Sequence, residues 1–142
     1  MARTQYGALP YRFDKAGDLE ILLVTSRRSR RWIIPKGWPI AGLAAAETAA
    51  REAFEEAGAV GDVETSPLGS YQYEKLLKGG ERSATCEVTV FPLRVQTMLD
   101  TWPEASQRTL RWMSGDNAIA LASGEGLKSL IGRALPALAA LR

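Results

Sequence analysis

Three glutamates, Glu52, Glu55 and Glu56, fall at i, i+3 and i+4 within an Ala- and Glu-rich stretch at residues 44–57. If that stretch is helical, their carboxylates converge within one turn, where like charges repel unless a cation sits among them. A divalent metal supplies such a cation. Mg²⁺ takes oxygen ligands, keeps several waters and commonly links a few carboxylates to phosphate groups, so three glutamates on one turn suit it better than they suit zinc. Arg51 lies one turn from both Glu47 and Glu55 and is spaced to hold carboxylates by charge-assisted hydrogen bonds. An ordinary solvated helix face carries the same residue types, so the wider sequence has to decide between the two.

Composition narrows the chemistry further. The chain has no histidine, which excludes Ser-His-Asp and Cys-His nucleophile pairs and histidine-ligated zinc, leaving carboxylates, Lys, Arg, Tyr or a metal to act. The single cysteine, Cys86, forms no internal disulfide, and its alternating apolar surroundings read as a buried strand with a packed thiol. Eighteen basic and sixteen acidic residues leave a charge of +2, too small to imply a stable nucleic-acid partner. No apolar run is long enough to span a bilayer, and Met1–Tyr6 lacks the apolar core of a signal peptide, so the expected compartment is the cytoplasm. At 142 residues the expectation is one domain over residues 1–142.

The elements that must hold these groups follow from the chain's punctuation. Tyr6–Phe13 and Leu19–Thr25 read as strands joined by a turn at Asp14–Asp18. A polar cluster at Ser26–Arg31 and a short apolar piece, Trp32-Ile33-Ile34, lead to Pro35 and a Gly/Pro loop over Lys36–Gly42. A helix is expected over Ala44–Ala57, ended by Gly58, with Ala46, Ala50, Ala53, Phe54 and Ala57 on its packing face. Gly69–Leu76, Ser83–Val95 and Thr109–Met113 carry strand patterns. Ser114 caps a short helix at Gly115–Leu121, and Leu127, Leu130, Ile131, Ala134, Leu138 and Leu141 form the stripe of a terminal helix that Pro136 should kink or shorten. Strands and helices alternate within one α/β (α+β) unit.

Gly37 followed at Arg51 by Arg-Glu-Ala-Phe-Glu-Glu-Ala-Gly-Ala resembles the signature of the Nudix hydrolase family, which fixes several residues over more than twenty positions. That family's pattern has a further glutamate where this chain has Leu43, and Glu47 is the candidate to replace it as partner of Arg51. The resemblance implies an α/β/α sandwich around a mixed sheet, metal ligation by Glu52, Glu55 and Glu56, and catalytic roles for Glu55, Glu56 and Arg51. Trp32–Pro39, with Trp102-Pro103-Glu104, Arg108 and Trp112, is similar to the branch that hydrolyses diphosphoinositol and dinucleoside (diadenosine) polyphosphates. The implied function is a Mg²⁺-dependent pyrophosphohydrolase, with Mn²⁺ as a substitute and a small polyphosphate as substrate. Hydrolysis of nucleoside triphosphates or nucleotide sugars, or silent binding of a phosphorylated ligand, are the alternatives.

Arg27, Arg28, Arg30 and Arg31 crowd into one turn, and Lys36 opens the loop before the acidic helix, so these cations are placed to meet a polyanion. Arg31, Lys36, Arg27 and the loop glycine Gly37 are the expected substrate-binding residues. Lys75, Lys78 and Arg82 form a second basic wall or keep a hairpin tip soluble. Tyr71 and Tyr73 share a strand face and read as core. Trp38 is either a lid over the core or an exposed surface for a substrate ring. Glu104, Glu81 and Glu87 compete for the role of an additional carboxylate brought from outside the helix.

Overall fold

The two apolar runs nearest the N-terminus become the middle of a sheet in a computed structural model of the chain, which describes residues 2–76 and 83–142. In chain order the strands are β1 (Arg3–Phe13), β2 (Leu19–Thr25), β3 (Trp32–Ile33), β4 (Lys36–Gly37), β5 (Ala59–Val63), β6 (Gly69–Leu76), β7 (Ser83–Met98) and β8 (Leu110–Ser114). The helices are α1 (Ala45–Ala57), α2 (Gly115–Leu121) and α3 (Glu125–Ala139). The expected hairpin-tip residues Lys78, Glu81 and Arg82 lie outside the described residues.

Among the described residues, one sheet runs β3-β2-β1-β7-β5, with β4 on β1, β6 on β7 and β8 on β2. It is mixed because β1 and β7 are parallel while the other pairs are antiparallel. Successive side chains of a strand point to opposite faces, so the unbroken apolar runs of β1 and β2 feed two cores. Ala8, Leu22 and Val24 pack with Ala46, Ala49, Ala53 and Ala57 of α1. Leu9, Ile21 and Leu23 face the other way, against Leu127, Leu130, Ile131 and Leu138 of α3. Helices therefore cover both faces, giving the expected α/β/α sandwich. Among the described residues, no helix is long and apolar enough to cross a membrane.

Several boundaries differ from the sequence reading. The segment β5 follows α1 directly, although Gly61 and Asp62 disfavour strands. Gly61 sits where the β5–β7 register shifts, and its missing side chain lets the Arg94 carbonyl approach. The loop after Pro35 begins with the two-residue strand β4, which pairs Gly37 with Tyr6 and Lys36 with Gly7. Pro136 does not shorten α3, which continues to Ala139 and buries Leu138 beyond it. Cys86 is a fully buried free thiol, as its pattern implied.

Candidate active site

The helix α1 is fastened at both ends. At its start Glu47 accepts the N–H of the N-cap residue, Ala44, at 2.9 Å. At its end Gly58 adopts φ 64°, the left-handed conformation that glycine takes at no steric cost, and its N–H turns back to the Ala53 and Phe54 carbonyls. The last carbonyls of a helix have no partner within it. Here the segment after β7 supplies them, because Trp102 Nε1 donates to the Glu56 carbonyl at 3.1 Å and Glu104 N to the Glu55 carbonyl at 3.0 Å. The Trp102 ring lies against Gly58, whose Cβ, if present, would be 2.6 Å from it.

This fastening sets the roll of α1, and the buried side differs from the expected one. Ala46, Thr48, Ala49, Ala53, Glu56 and Ala57 are buried, whereas Ala50 and Phe54 are only half-buried. Glu56 thus leaves the solvated face and points into the fold, with Glu52 and Glu55 half-buried beside it. Arg51 and Glu47 remain exposed and do not pair with each other. Arg51 Nε bonds Glu55 Oε1 at 3.2 Å, while Glu47 caps the helix instead of replacing the glutamate that Leu43 displaces.

Glu52 and Glu56 line a cleft of about 1390 Å³ together with Lys36, Gly37, Trp38, Glu104 and Arg108. Its rim carries Arg27, Arg28 and Arg31, and Lys75 stands on the β6 side. Four of the expected site residues, Arg27, Arg31, Lys36 and Gly37, are therefore brought to the same cleft as Glu52 and Glu56. Arg51 and Glu55 are not among its lining residues. Arg51 instead borders a smaller depression of about 480 Å³ on the outer side of α1, with Leu43, Phe54 and Val60. Of the competing outside carboxylates, Glu104 lines the cleft, whereas Glu87 does not and Glu81 lies outside the described residues. Trp38 is 43% exposed at the cleft, so it is no lid over the core.

Gly37 owes its role to the side chain it lacks. A Cβ there would fall 2.7 Å from Glu52 Oε2, so glycine lets the strand β4 pass directly beside that carboxylate without displacing it. One residue earlier, the Lys36 N–H approaches Glu56 Oε2 at 3.4 Å. The Lys36 ammonium sits 4.7 Å from the centre of the Tyr73 ring, and the Tyr73 hydroxyl donates to Gln5 Oε1 at 2.7 Å. Sequence reasoning took Tyr71 and Tyr73 as core. Tyr71 is buried, but both reach the cleft wall, and Tyr73 is half-buried there. Gln5 gave no signal, being a polar residue at the start of a strand.

The electrostatics follow from crowding carboxylates away from water. Burial pushes Glu52 up to about 7, and the neighbouring Glu55 and Glu104 add to the shift. Burial likewise pushes Glu56 up to about 8, against the opposing pull of Arg108, with Glu52 adding to the rise. Burial lowers Lys36 from the usual ammonium range, and Glu56 partly offsets it. Glu56 Oε1 is buried without a hydrogen-bond partner, since Arg108 Nη2 stands at 3.6 Å. An all-oxygen donor set with an orphaned carboxylate oxygen and acids held above the usual carboxylate range fits a hard divalent cation. Among the described residues, no three acidic side chains meet at ligand distance as they stand, and Glu55 is engaged by Arg51. Glu52, Glu55 and Glu56 are the residues that could hold the ion.

The family resemblance of the glycine and acidic-helix pattern extends over most of the chain. Residues 2–131 match the NUDIX domain family. The chain is 34% identical over 139 residues to Nudix hydrolase 21, chloroplastic, of Arabidopsis thaliana, covering 92% of this chain and 67% of that protein. It is 33% identical over 123 residues to Nudix hydrolase 4 of the same plant, covering 82% and 57%. Its fold is similar to that of the C. elegans Ap4A hydrolase in a binary complex, with a TM-score of 0.71, 22% identity, and coverage of 98% of this chain and 99% of that one. The chain belongs to the Nudix hydrolase family, whose members act on pyrophosphate bonds. It spans 67% and 57% of the length of the two plant proteins.

Proposed function

We propose that the chain is a Mg²⁺-dependent pyrophosphohydrolase that cleaves a phosphoanhydride bond of a diphosphoinositol polyphosphate or a dinucleoside polyphosphate, with Mn²⁺ as a substitute ion. The observation that carries this reading is the cleft, in which raised, crowded carboxylates of α1 lie beneath a rim of Arg27, Arg28 and Arg31. Glu52, Glu55 and Glu56 would hold the ion. When bound, a divalent ion screens phosphate charge and acidifies a water. Arg31, Arg27 and Lys36 bind the non-reacting phosphates, a task for which fixed cations around a polyanion are suited. Gly37 keeps the floor beside Glu52 open. A carboxylate left free of the ion, Glu55, Glu56 or Glu104, accepts the proton of the attacking water. Arg51 holds Glu55 in place, supporting catalysis through it. The cytoplasm is the proposed compartment.

The test is phosphate release from four substrate classes with Mg²⁺: diphosphoinositol polyphosphates, dinucleoside polyphosphates, nucleoside triphosphates and nucleotide sugars. Turnover of either of the first two classes is the expected result. Preference for either of the last two keeps the chemistry and overturns the substrate. The exposed Leu43 at the family's glutamate position, 39% exposed and without a charge to offer Arg51, favours a second reading, a silent phosphate-ligand module. That reading predicts ligand binding with no turnover of any of the four.

A further inference from the structure

Arg108 is a buried cation whose guanidinium is hydrogen-bonded through two of its nitrogens and faces a carboxylate with the third. Its side chain is 8% exposed. Nε donates to Glu104 Oε1 at 2.8 Å and Nη1 to the Thr25 carbonyl at 3.0 Å, while Nη2 stands 3.6 Å from Glu56 Oε1. The Thr25 end of this arrangement is itself tied down. Thr25 N donates to the Thr109 carbonyl at 3.0 Å, and Thr109 N donates to Thr25 Oγ1 at 2.9 Å.

Glu104 needs such a hold. Residues 99–109 turn without forming a strand or helix, and although the Glu104 N–H is tied to the Glu55 carbonyl, it is Arg108 that holds its carboxylate. A planar guanidinium offers donors in a rigid fork and can serve several acceptors at set angles, which a single ammonium cannot. A role in gripping substrate phosphate fits poorly, because the Arg108 side chain is nearly sealed from solvent, Nε and Nη1 already have protein acceptors, and Nη2 faces Glu56.

We propose that Arg108 is a positioning residue: anchored to the end of β2 through the Thr25 carbonyl, it fixes Glu104 beside Glu56, so that carboxylates from two distant parts of the chain meet across one cation. The inference rests on the reading of the cleft as a phosphoanhydride hydrolase site.

Its test is a double-substitution cycle of Arg108→Ala, Glu104→Ala and the pair, with Arg108→Lys as a variant that keeps the buried charge should the alanine variant fail to fold. Each alanine variant is expected to lower kcat by about 10²-fold, the cost of a misplaced group, with KM changed by less than about 3-fold. The pair is expected to fall within about 3-fold of the poorer single variant, because the two residues act as one unit. Arg108→Lys should fold and still lose most of the turnover. Losses that multiply in the pair, or a rise in KM with kcat retained, would overturn the proposal. A second readout is the metal-free thermal midpoint of the same cycle, where the pair is expected to lose less than the two single variants together, because each single variant strands the charge of the other residue. Additive losses would also overturn it. Should the wild type hydrolyse no polyphosphate, the functional reading fails, and the midpoint comparison still decides the role of Arg108.

Discussion

A side chain at residue 37 would occupy the space of the Glu52 carboxylate, and that conflict gives a clean probe of the site. The obstructing atoms are the far end of a flexible side chain, so Gly37→Ala should be accommodated by moving Glu52 instead of the backbone. The expected outcome is a thermal midpoint close to wild type with turnover reduced by about 10²-fold, checked by calorimetry beside a rate assay. Unchanged turnover would mean that the position of Glu52 is not critical. At this scale the motif residues were legible because their types and spacing are local: Gly37, Glu52 and Glu56 meet at the cleft. The bonding of Arg108 was not, although the residue stands in the branch pattern, because its acceptor on Thr25 lies 83 residues away in sequence. Glu47 was misjudged for a related reason, since a glutamate three residues after the N-cap has a backbone N–H nearer than Arg51.

At the scale of elements, α1 carries the site only because its C-terminal end is pinned by Gly58 and Trp102. Gly58→Ala places a Cβ both in a left-handed backbone conformation and 2.6 Å from the Trp102 ring. A loss of about 2 kcal/mol or more is expected in denaturant unfolding, because the strain of the backbone and the displaced indole act together. A loss below about 0.5 kcal/mol, the range of ordinary surface changes, would contradict this account of the helix end. The helices α1 and α2 were readable from their caps, Gly58 and Ser114. The strand β5 was not, since Gly61 and Asp62 are poor strand residues and it is the pairing with β7 that makes the segment extended. The roll of α1 was also hidden. A wheel shows which residues share a face, but only the contacts from β4 and the 99–109 segment decide that Glu56 turns inward.

Across the whole molecule, the cleft gathers residues from the Ser26–Arg31 turn, β4, α1, β6 and the segment after β7. Both cores serve this assembly. Small alanines let α1 lie close to the sheet on one face, and the leucine-rich α3 packs the other, leaving the cleft at the edge where the basic turn and the acidic helix meet. The sandwich itself was legible from the motif and from the alternation of strands and helices. The cleft was not, because it depends on which loops the mixed strand order brings together. The central claim is that the glutamates of α1 hold a divalent ion that the reaction needs. Its most direct measurement is Mg²⁺-dependent turnover of a dinucleoside or diphosphoinositol polyphosphate by the wild type and by Glu56→Gln, a substitution that keeps the shape and removes the charge. The account predicts turnover by the wild type that is abolished by chelation and falls by about 10²-fold or more in Glu56→Gln, in line with the loss of a group that stabilises developing charge. Turnover that persists without a divalent ion, or that Glu56→Gln leaves intact, would contradict it.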